Sequence, residues 1–253
     1  MSFRDDFNSL DQNVWEIVNH VGDQASVTIS DGKLRFGVVN LTVYNWFGIH
    51  RKSFVDLKNK SVELNLDFEL QGIYGPTFHF GVCFSNKPYE NCWDSDFLGV
   101  FIGIEGEARG RPVRIKMYKY SYGKAAFLTA PVERVPCTIR VKVSEKAIYV
   151  YEVVDGVEKA KLSAVIEFNP VNLHFYLLTR VVVYEGAERN TGAVTIDYVD
   201  VKETTVPETV QETIAREMAS LVATMVYTLV PLAMIMMTIL EVRRAIKEAK
   251  PAG

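Results

Sequence analysis

The chain has 253 residues, a formal net charge of −3 and 48% hydrophobic residues. This composition suits one globular domain of about 200 residues with an ample core, followed by a separate apolar segment. Residues 1–202 contain no basic run, which argues against nucleic acid as a partner. The histidines are scattered and no Cys-x-x-Cys occurs, so the sequence carries no transition-metal motif.

Short strands separated by turn signals fill residues 1–202. Asp31-Gly32 and Asp155-Gly156 each stand between two alternating apolar segments, which is typical of a tight β-hairpin. A third turn is expected at residues 144–146. Many short strands of this kind predict an all-β, antiparallel jelly-roll sandwich of two sheets. The other strand candidates are residues 61–70, 77–84, 97–104, 113–120, 172–184 and 193–201.

One loop, residues 86–97 (NKPYENCWDSDF), is dense in aromatic and polar side chains. Sugar sites use an aromatic platform and a few fixed hydrogen-bonding groups. Trp93 is the first candidate, because the turn formers around it favour a position near the surface, although aromatic residues of a sandwich more often belong to the core. The remaining candidate ligand-binding residues are Tyr89, Asn91, Asp94, Asp96 and, from a separate segment, Trp46.

The loop is bordered by cysteines whose state the sequence leaves open. Cys83 and Cys92 could form a disulfide in an oxidising compartment, which would leave Cys137 unpaired.

The C-terminal region changes character after the last predicted strand. Thr205-Val206-Pro207-Glu208 fits a capping box, which predicts the start of a helix with a stalk over residues 203–217. Residues 218–240 contain no charged residue, and a helix of that length covers roughly 35 Å, enough for a bilayer core of about 30 Å. We therefore expect a transmembrane helix over 218–240 and a short basic tail over 241–253. A buried helix of a soluble protein is the alternative.

The charges that flank this segment predict its orientation. Acidic residues dominate before it and basic residues after it, so the positive-inside rule places the tail in the cytoplasm and the sandwich outside. The N-terminus has no apolar signal-peptide segment, and tail-first insertion with the sandwich in the cytosol is therefore the alternative. A viral envelope protein, oriented by assembly and budding, would avoid part of this difficulty.

Both ends of the predicted sandwich resemble a known superfamily. Residues 3–18 (FRDDFNSLDQNVWEIV) resemble the opening segment of concanavalin A-like lectin/glucanase domains. Residues 191–201 (TGAVTIDYVDV) are similar to the closing strand of that superfamily, especially in laminarinase and lichenase-type glycoside hydrolases. The resemblance implies a concanavalin A-like fold for residues 1–202. It also implies a structural calcium on the convex side, for which Asp197 matches the aspartate ligand.

The resemblance raises glycoside hydrolysis, for which the related hydrolases use a Glu-x-Asp-x-x-Glu strand. This chain lacks the motif. The nearest approaches are the acidic residues of segment 63–69 and the pair Glu105 and Glu107. Because neither matches, the sequence predicts that the protein is not an enzyme.

These observations together predict a membrane-anchored surface protein or a structural protein of a virion envelope. Its lectin-like sandwich is expected to bind glycans or neighbouring subunits, so the expected partners are the lipid bilayer, a glycan and further copies in a homo-oligomer or larger assembly. The alternatives are an accessory or scaffolding subunit of a membrane complex and, less favoured, a membrane-tethered glycoside hydrolase. The low glutamine content also favours a thermophilic source.

Overall fold

The computed structural model describes residues 2–40, 45–70, 77–107, 113–182 and 191–205. By compactness the chain divides into two units, Met1–Pro207 and Glu208–Gly253, and all described residues belong to the first. The predicted transmembrane helix over 218–240, most of its stalk and the basic tail lie outside the described residues. Within the described part, no helix has the length and apolar character that a membrane crossing needs.

The described residues form two antiparallel sheets with almost no helix, which confirms the predicted all-β class. In chain order the strands are β1 (Phe3–Asp5), β2 (Trp15–Asn19), β3 (Ala25–Ser30), β4 (Lys33–Val38), β5 (Asn45–Arg51), β6 (Lys60–Leu70), β7 (Thr77–Ser85), β8 (Leu98–Glu107), β9 (Arg114–Ser121), β10 (Lys124–Pro131), β11 (Cys137–Val143), β12 (Ala147–Val154), β13 (Val157–Val165), β14 (His174–Val182) and β15 (Gly192–Glu203). One 3₁₀ turn, η1 (Tyr89–Asn91), lies between β7 and β8.

The strand order defines the two layers of the sandwich. The eight-stranded sheet, here the back sheet, has the order β13-β12-β11-β6-β15-β4-β3, with β1 also paired to β15. The seven-stranded sheet, here the front sheet, has the order β10-β9-β8-β7-β14-β5-β2. Consecutive strands pair within one sheet at β3–β4, β7–β10 and β11–β13, whereas the connections from β4 to β5 and from β6 to β7 cross between the sheets, as in a jelly roll.

Positive-φ turns fix the register of the predicted hairpins. Asp31 and Gly32 have φ values of 52° and 71°, and Asp155 and Gly156 have 52° and 80°. Two consecutive residues with φ above zero give the turn whose twist matches a two-residue hairpin, so both hairpin predictions are confirmed. The structure adds a third turn of this kind between β9 and β10, where Tyr122 and Gly123 have φ values of 53° and 73°.

The main core lies between the two sheets. It is lined by the inward-facing side chains of both layers, among them Phe36 of the back sheet and Phe47 and Phe80 of the front sheet, all fully buried. The N-terminal segment closes one end of this core. Trp15 is 1% exposed, and its indole Nε1 donates a hydrogen bond of 2.8 Å to the Asp5 carboxylate.

The two chain ends meet as predicted, because β1 pairs with β15. Although β15 is the last strand in the sequence, it does not lie at an edge of its sheet. It lies between β6 and β4, in the middle of the back sheet. It also extends to Glu203, and the Thr204 N–H donates a hydrogen bond of 3.0 Å to the Asn59 carbonyl.

Candidate functional site

The outer face of the front sheet carries the most varied side chains of the described molecule. Along β7 the alternation sends Phe80, Val82 and Phe84 into the main core, so His79 and Cys83 face outward. A second apolar cluster forms on this outer face, separate from the main core. Its members are Cys83, Tyr89, Cys92, Phe97, Phe101, Tyr120, Tyr176 and Leu178, with Trp46 and Tyr118 packed against it.

Loop 86–97 folds over one part of this face. Tyr89, in η1, is only 2% exposed; its N–H donates to the Tyr176 hydroxyl at 3.3 Å, and its hydroxyl lies 3.1 Å from that of Tyr120. Burial raises the pKa of both Tyr89 and Tyr120 well above the ordinary tyrosine value. Tyr89 therefore attaches the loop to the sheet and is not positioned to contact a ligand.

A row of glycines crosses the front sheet. Gly48, Gly81 and Gly103 stand in register across β5, β14, β7 and β8. A Cβ at any of the three would lie far inside van der Waals contact of a neighbouring carbonyl oxygen. Such close backbone approach is possible only without a side chain. The three glycines are buried, and the part of the outer face beside them, bordered by Trp46, His79 and Tyr118, is called the cleft below.

Charged side chains from four strands converge beside the glycine row. His79 Nε2 lies 2.9 Å from a Glu105 carboxylate oxygen, and Lys116 forms an ion pair with the same carboxylate. The Tyr118 hydroxyl lies 3.4 Å from His79 Nδ1. The Arg180 guanidinium lies 5.0 Å from the Tyr118 ring centroid.

Protonation in this cluster follows from burial and hydrogen bonding. Desolvation lowers the pKa of His79, so the ring is neutral at pH 7. Because Nε2 faces a carboxylate, it carries the proton, and Nδ1 is left to accept from Tyr118. The hydrogen bond from His79 is the largest cause that lowers the pKa of Glu105, which falls to about 2. The cluster thus presents an ionised carboxylate between a neutral imidazole and an ammonium.

Aromatic rings line the cleft beside these charges. Trp46 is half-buried and lies 4.4 Å from the His20 ring and 4.9 Å from the Tyr89 ring. On the opposite side, Phe127 is 61% exposed and packs 5.9 Å from Tyr118. Half-exposed rings that flank fixed polar groups have the composition of a sugar site.

The structure separates the predicted loop residues by exposure. Trp93 is 62% exposed and touches Tyr120 edge-on at 5.9 Å. Asn91, Asp94 and Asp96 are exposed, and Asp96 also forms an ion pair with Lys87. Trp93, Asn91 and Asp94 thus lie at the surface of the loop, while Tyr89 points beneath it. A role in ligand binding stays a prediction for each exposed residue.

The cysteines are free thiols in the structure. Cys83, Cys92 and Cys137 are all buried, and the first two belong to the outer-face cluster. Burial is the main cause that raises the pKa of each thiol, which disfavours the reactive thiolate.

The predicted calcium ligand lies on the back sheet, away from the cleft. Asp197 forms an ion pair of 2.7 Å with Lys33. Among the described residues, no group of three or more His, Cys, Asp or Glu side chains is arranged to hold a metal ion. Calcium would therefore have to displace the Lys33 ammonium, and its binding at Asp197 stays a prediction.

The two acidic segments fall on different sheets. Glu63 belongs to β6 of the back sheet, where it accepts hydrogen bonds from Arg140 at 2.6 Å and from the Tyr198 hydroxyl at 2.7 Å. It is therefore a structural carboxylate. Glu105 lies on β8 in the cleft, and the Glu107 side chain lies outside the described part.

Sequence reasoning missed His79, Lys116 and Arg180. They lie on three strands that are far apart in the chain, and each strand also carries other polar residues. Only the register of β9, β8, β7 and β14 brings them together.

Comparison with known proteins identifies the fold. The chain matches no protein-family model and no curated protein. Its structure is similar to an immunostimulatory antigen and pseudo β-1,3-glucanase of Mycobacterium tuberculosis, with a TM-score of 0.57, 15% identity and coverage of 80% of this chain and 98% of that one. A legume lectin-like domain from Entamoeba histolytica gives 0.57, 12%, 81% and 97% for the same quantities.

A third similar structure is the κ-carrageenase of Pseudoalteromonas carrageenovora in complex with an oligotetrasaccharide of κ-carrageenan. Its TM-score is 0.54 and its identity 13%, with coverage of 78% of this chain and 92% of that one. These likenesses show the fold. The sandwich has a jelly-roll fold similar to that of these proteins, which is the fold that the resemblance of the chain ends implies.

The same comparison corrects the prediction that the protein is not an enzyme. Proteins of this fold that are named as hydrolases stand among its structural neighbours, beside a pseudo-glucanase and a lectin-like domain. The missing Glu-x-Asp-x-x-Glu motif therefore does not justify excluding hydrolase activity.

Proposed function

We propose that the protein binds carbohydrate in the cleft on the outer face of its front sheet. The observation that carries this proposal is the convergence of Glu105, Lys116 and Arg180 beside the glycine row, between the half-exposed rings of Trp46 and Tyr118. Sugar recognition needs an aromatic face, which packs against the apolar side of the sugar ring, and fixed charged groups, which orient the sugar hydroxyls.

The glycine row supports the proposal by letting the strands under this face approach each other closely. A Cβ at Gly48, Gly81 or Gly103 would collide with a carbonyl oxygen of a neighbouring strand, so only glycine allows this packing. The neighbours of this fold include a lectin-like domain and a carrageenase solved with an oligosaccharide, which supports the choice of ligand class.

Glycoside hydrolysis is the second candidate, and the state of Glu105 favours a particular role in it. With a pKa of about 2 the carboxylate is ionised at neutral pH. An ionised carboxylate suits a nucleophile or a stabiliser of the oxocarbenium-like transition state, while the general acid needs a raised pKa. Hydrolysis would therefore need a second carboxyl group as the acid.

We propose that the anchor predicted at residues 218–240 displays this site on a cell or virion surface, where it binds glycans. The support comes from the uncharged segment and its asymmetric flanks. Packing of the same face against neighbouring subunits, as a scaffolding role requires, is the competing outcome of the test below.

The test is a binding survey with matched lysine variants. The full chain in detergent is titrated calorimetrically with β-glucan and carrageenan oligosaccharides. Lys116 and Lys33 each pair with a carboxylate on the outer face of a sheet, but only Lys116 lies in the cleft. We expect Lys116→Gln to weaken binding at least tenfold and Lys33→Gln to leave it unchanged.

Two outcomes would contradict the proposal. One is the absence of binding to every oligosaccharide, together with self-association through the front sheet. The other is an equal loss in both lysine variants. Product analysis after long incubation addresses hydrolysis separately: shorter oligosaccharides with the wild type and none with Glu105→Gln would establish it.

A further inference from the structure

Histidines that are distant in the sequence meet on the front sheet, beyond the carbohydrate cleft. His50 of β5 and His174 of β14 lie on neighbouring strands, and Tyr176 stands opposite His50 in the register. His50 Nε2 lies 3.3 Å from His174 Nδ1. On its other side, His50 Nδ1 lies 3.3 Å from a Glu16 carboxylate oxygen of edge strand β2.

The Glu16 carboxylate determines which ring nitrogen of His50 keeps an unprotonated lone pair. Because Nδ1 faces Glu16, it carries the proton and donates it to the carboxylate. Nε2 is then left with its lone pair, and that lone pair points at His174. Histidines that ligate metals commonly donate their other ring N–H to a carboxylate in this way, which fixes the ring and raises its basicity as a ligand.

The spacing of the two nitrogens matches a shared metal ion. Two imidazole nitrogens at 2.0–2.1 Å from one tetrahedral ion stand about 3.3–3.4 Å apart. The His50 and His174 nitrogens already have this separation. We propose that His50 and His174 bind a divalent first-row transition metal such as Zn²⁺ or Ni²⁺, with Glu16 orienting His50 from behind.

The surroundings keep the pair in place and open to solvent. The His50 ring stacks on Tyr176 at 4.3 Å with an interplanar angle of 17°, and Phe54 packs edge-on against His174 at 4.9 Å. The His50 side chain is 16% exposed and His174 is half-buried, so both rings contact solvent. In the described part no third His, Cys, Asp or Glu completes a ligand group, so water supplies the other ligands.

This site does not depend on the carbohydrate proposal, because none of its residues belongs to the His79–Glu105–Lys116 cluster. The competing explanation is a simple hydrogen bond between the two rings, in which His174 Nδ1–H donates to His50 Nε2. That arrangement needs no metal and predicts no saturable binding.

The experiment titrates the tag-free full chain in detergent with ZnCl₂ and NiCl₂ by calorimetry. The wild type is compared with His50→Gln and His174→Gln, and with His20→Gln as the matched control. His20 lies on the same face but contacts Trp46 and Glu90 and not the pair. We expect one ion per chain, binding at least tenfold weaker in each pair variant, and no change in the control.

Glu16→Gln gives a second and milder test, because the side chain is exposed and its loss does not threaten folding. Loss of such a carboxylate partner typically costs 10- to 100-fold in metal affinity, so weakening of at least tenfold is expected. Cu²⁺ electron paramagnetic resonance should show two nitrogen ligands in the wild type. The proposal is overturned if the wild type binds no stoichiometric ion, or if its affinity survives in both pair variants.

Discussion

Exposure separates Trp93 from Trp15. Trp93 is 62% exposed on loop 86–97, whereas Trp15 is 1% exposed in the main core. We expect Trp93→Ala to leave the melting temperature nearly unchanged and to weaken glycan binding by about 1–3 kcal/mol, in the range of an interface anchor. Trp15→Ala, the control, should cost about 3–5 kcal/mol of stability.

Thermal unfolding and oligosaccharide titration of the two variants decide the matter. A large loss of stability in Trp93→Ala would mean that the ring is a packing residue after all. Unchanged affinity in a stable Trp93→Ala variant would remove loop 86–97 from the proposed site.

The ionisation of Glu105 in the cleft makes the folding stability of the protein depend on pH in the acid range. Its pKa falls from 4.5 to about 2, first through the hydrogen bond from His79. A carboxyl group with a depressed folded-state pKa stabilises the native state above its unfolded value, and that contribution is lost as the pH falls through the folded value. The contribution of Glu105 should therefore disappear between pH 4.5 and about 2.

Glu105→Gln removes that titration. Urea denaturation across the acid range should show a smaller loss of stability for the variant than for the wild type. Parallel pH curves for the two proteins would show that Glu105 has no special coupling to His79 and Lys116.

The composition of loop 86–97 was sufficient to locate an exposed tryptophan, because turn formers keep a segment near the surface. It could not show that Tyr89 turns beneath the loop, since that depends on η1 and on the hydroxyls of Tyr120 and Tyr176. His79 and Arg180 were beyond prediction for a related reason. Their meeting depends on strand register, which sequence spacing does not reveal.

At the scale of the strands, the close packing of neighbouring front-sheet strands depends on the glycine row. A Cβ at Gly81 or Gly103 would collide with backbone carbonyl oxygens, which cannot rotate away. At Gly37, by contrast, the nearest atom is the Arg35 guanidinium at 2.7 Å, the end of a flexible side chain. We expect Gly81→Ala and Gly103→Ala to cost about 3 kcal/mol or more and Gly37→Ala to cost little.

Equilibrium unfolding of the three alanine variants measures this difference. Similar stabilities would mean that the sheet relaxes easily and that its close packing is not fixed by these glycines.

The turn residues predicted the strands that directly flank them. Asp-Gly pairs favour consecutive positive-φ residues, so β3–β4 and β12–β13 were evident from sequence. The β9–β10 hairpin was missed because its turn begins at Tyr122, a residue type seldom found at positive φ. Strand β10 also lacks alternation, since nearly all of its residues are exposed at the edge of the sheet. The segment of strand β5 yields only the candidate residue Trp46 from sequence and no strand prediction.

For the whole molecule, the position of β15 shows where the folded unit ends. A closing strand at a sheet edge could be removed with limited damage, but β15 lies between β6 and β4 and pairs also with β1. Its hydrogen bonding continues to Thr204. A fragment of residues 1–205 therefore retains every described strand, while a chain that stops before residue 190 loses the middle of its back sheet.

This boundary allows the anchor to be tested apart from the sandwich. We expect fragment 1–205 to be soluble, folded and rich in β-structure by circular dichroism. The full chain should remain with membranes after alkaline carbonate extraction, because the uncharged segment 218–240 is long enough for a bilayer. Protease added to intact cells or vesicles then reports on which side the sandwich lies. Release of the full chain by carbonate would refute the membrane span, and an insoluble 1–205 fragment would refute the domain boundary.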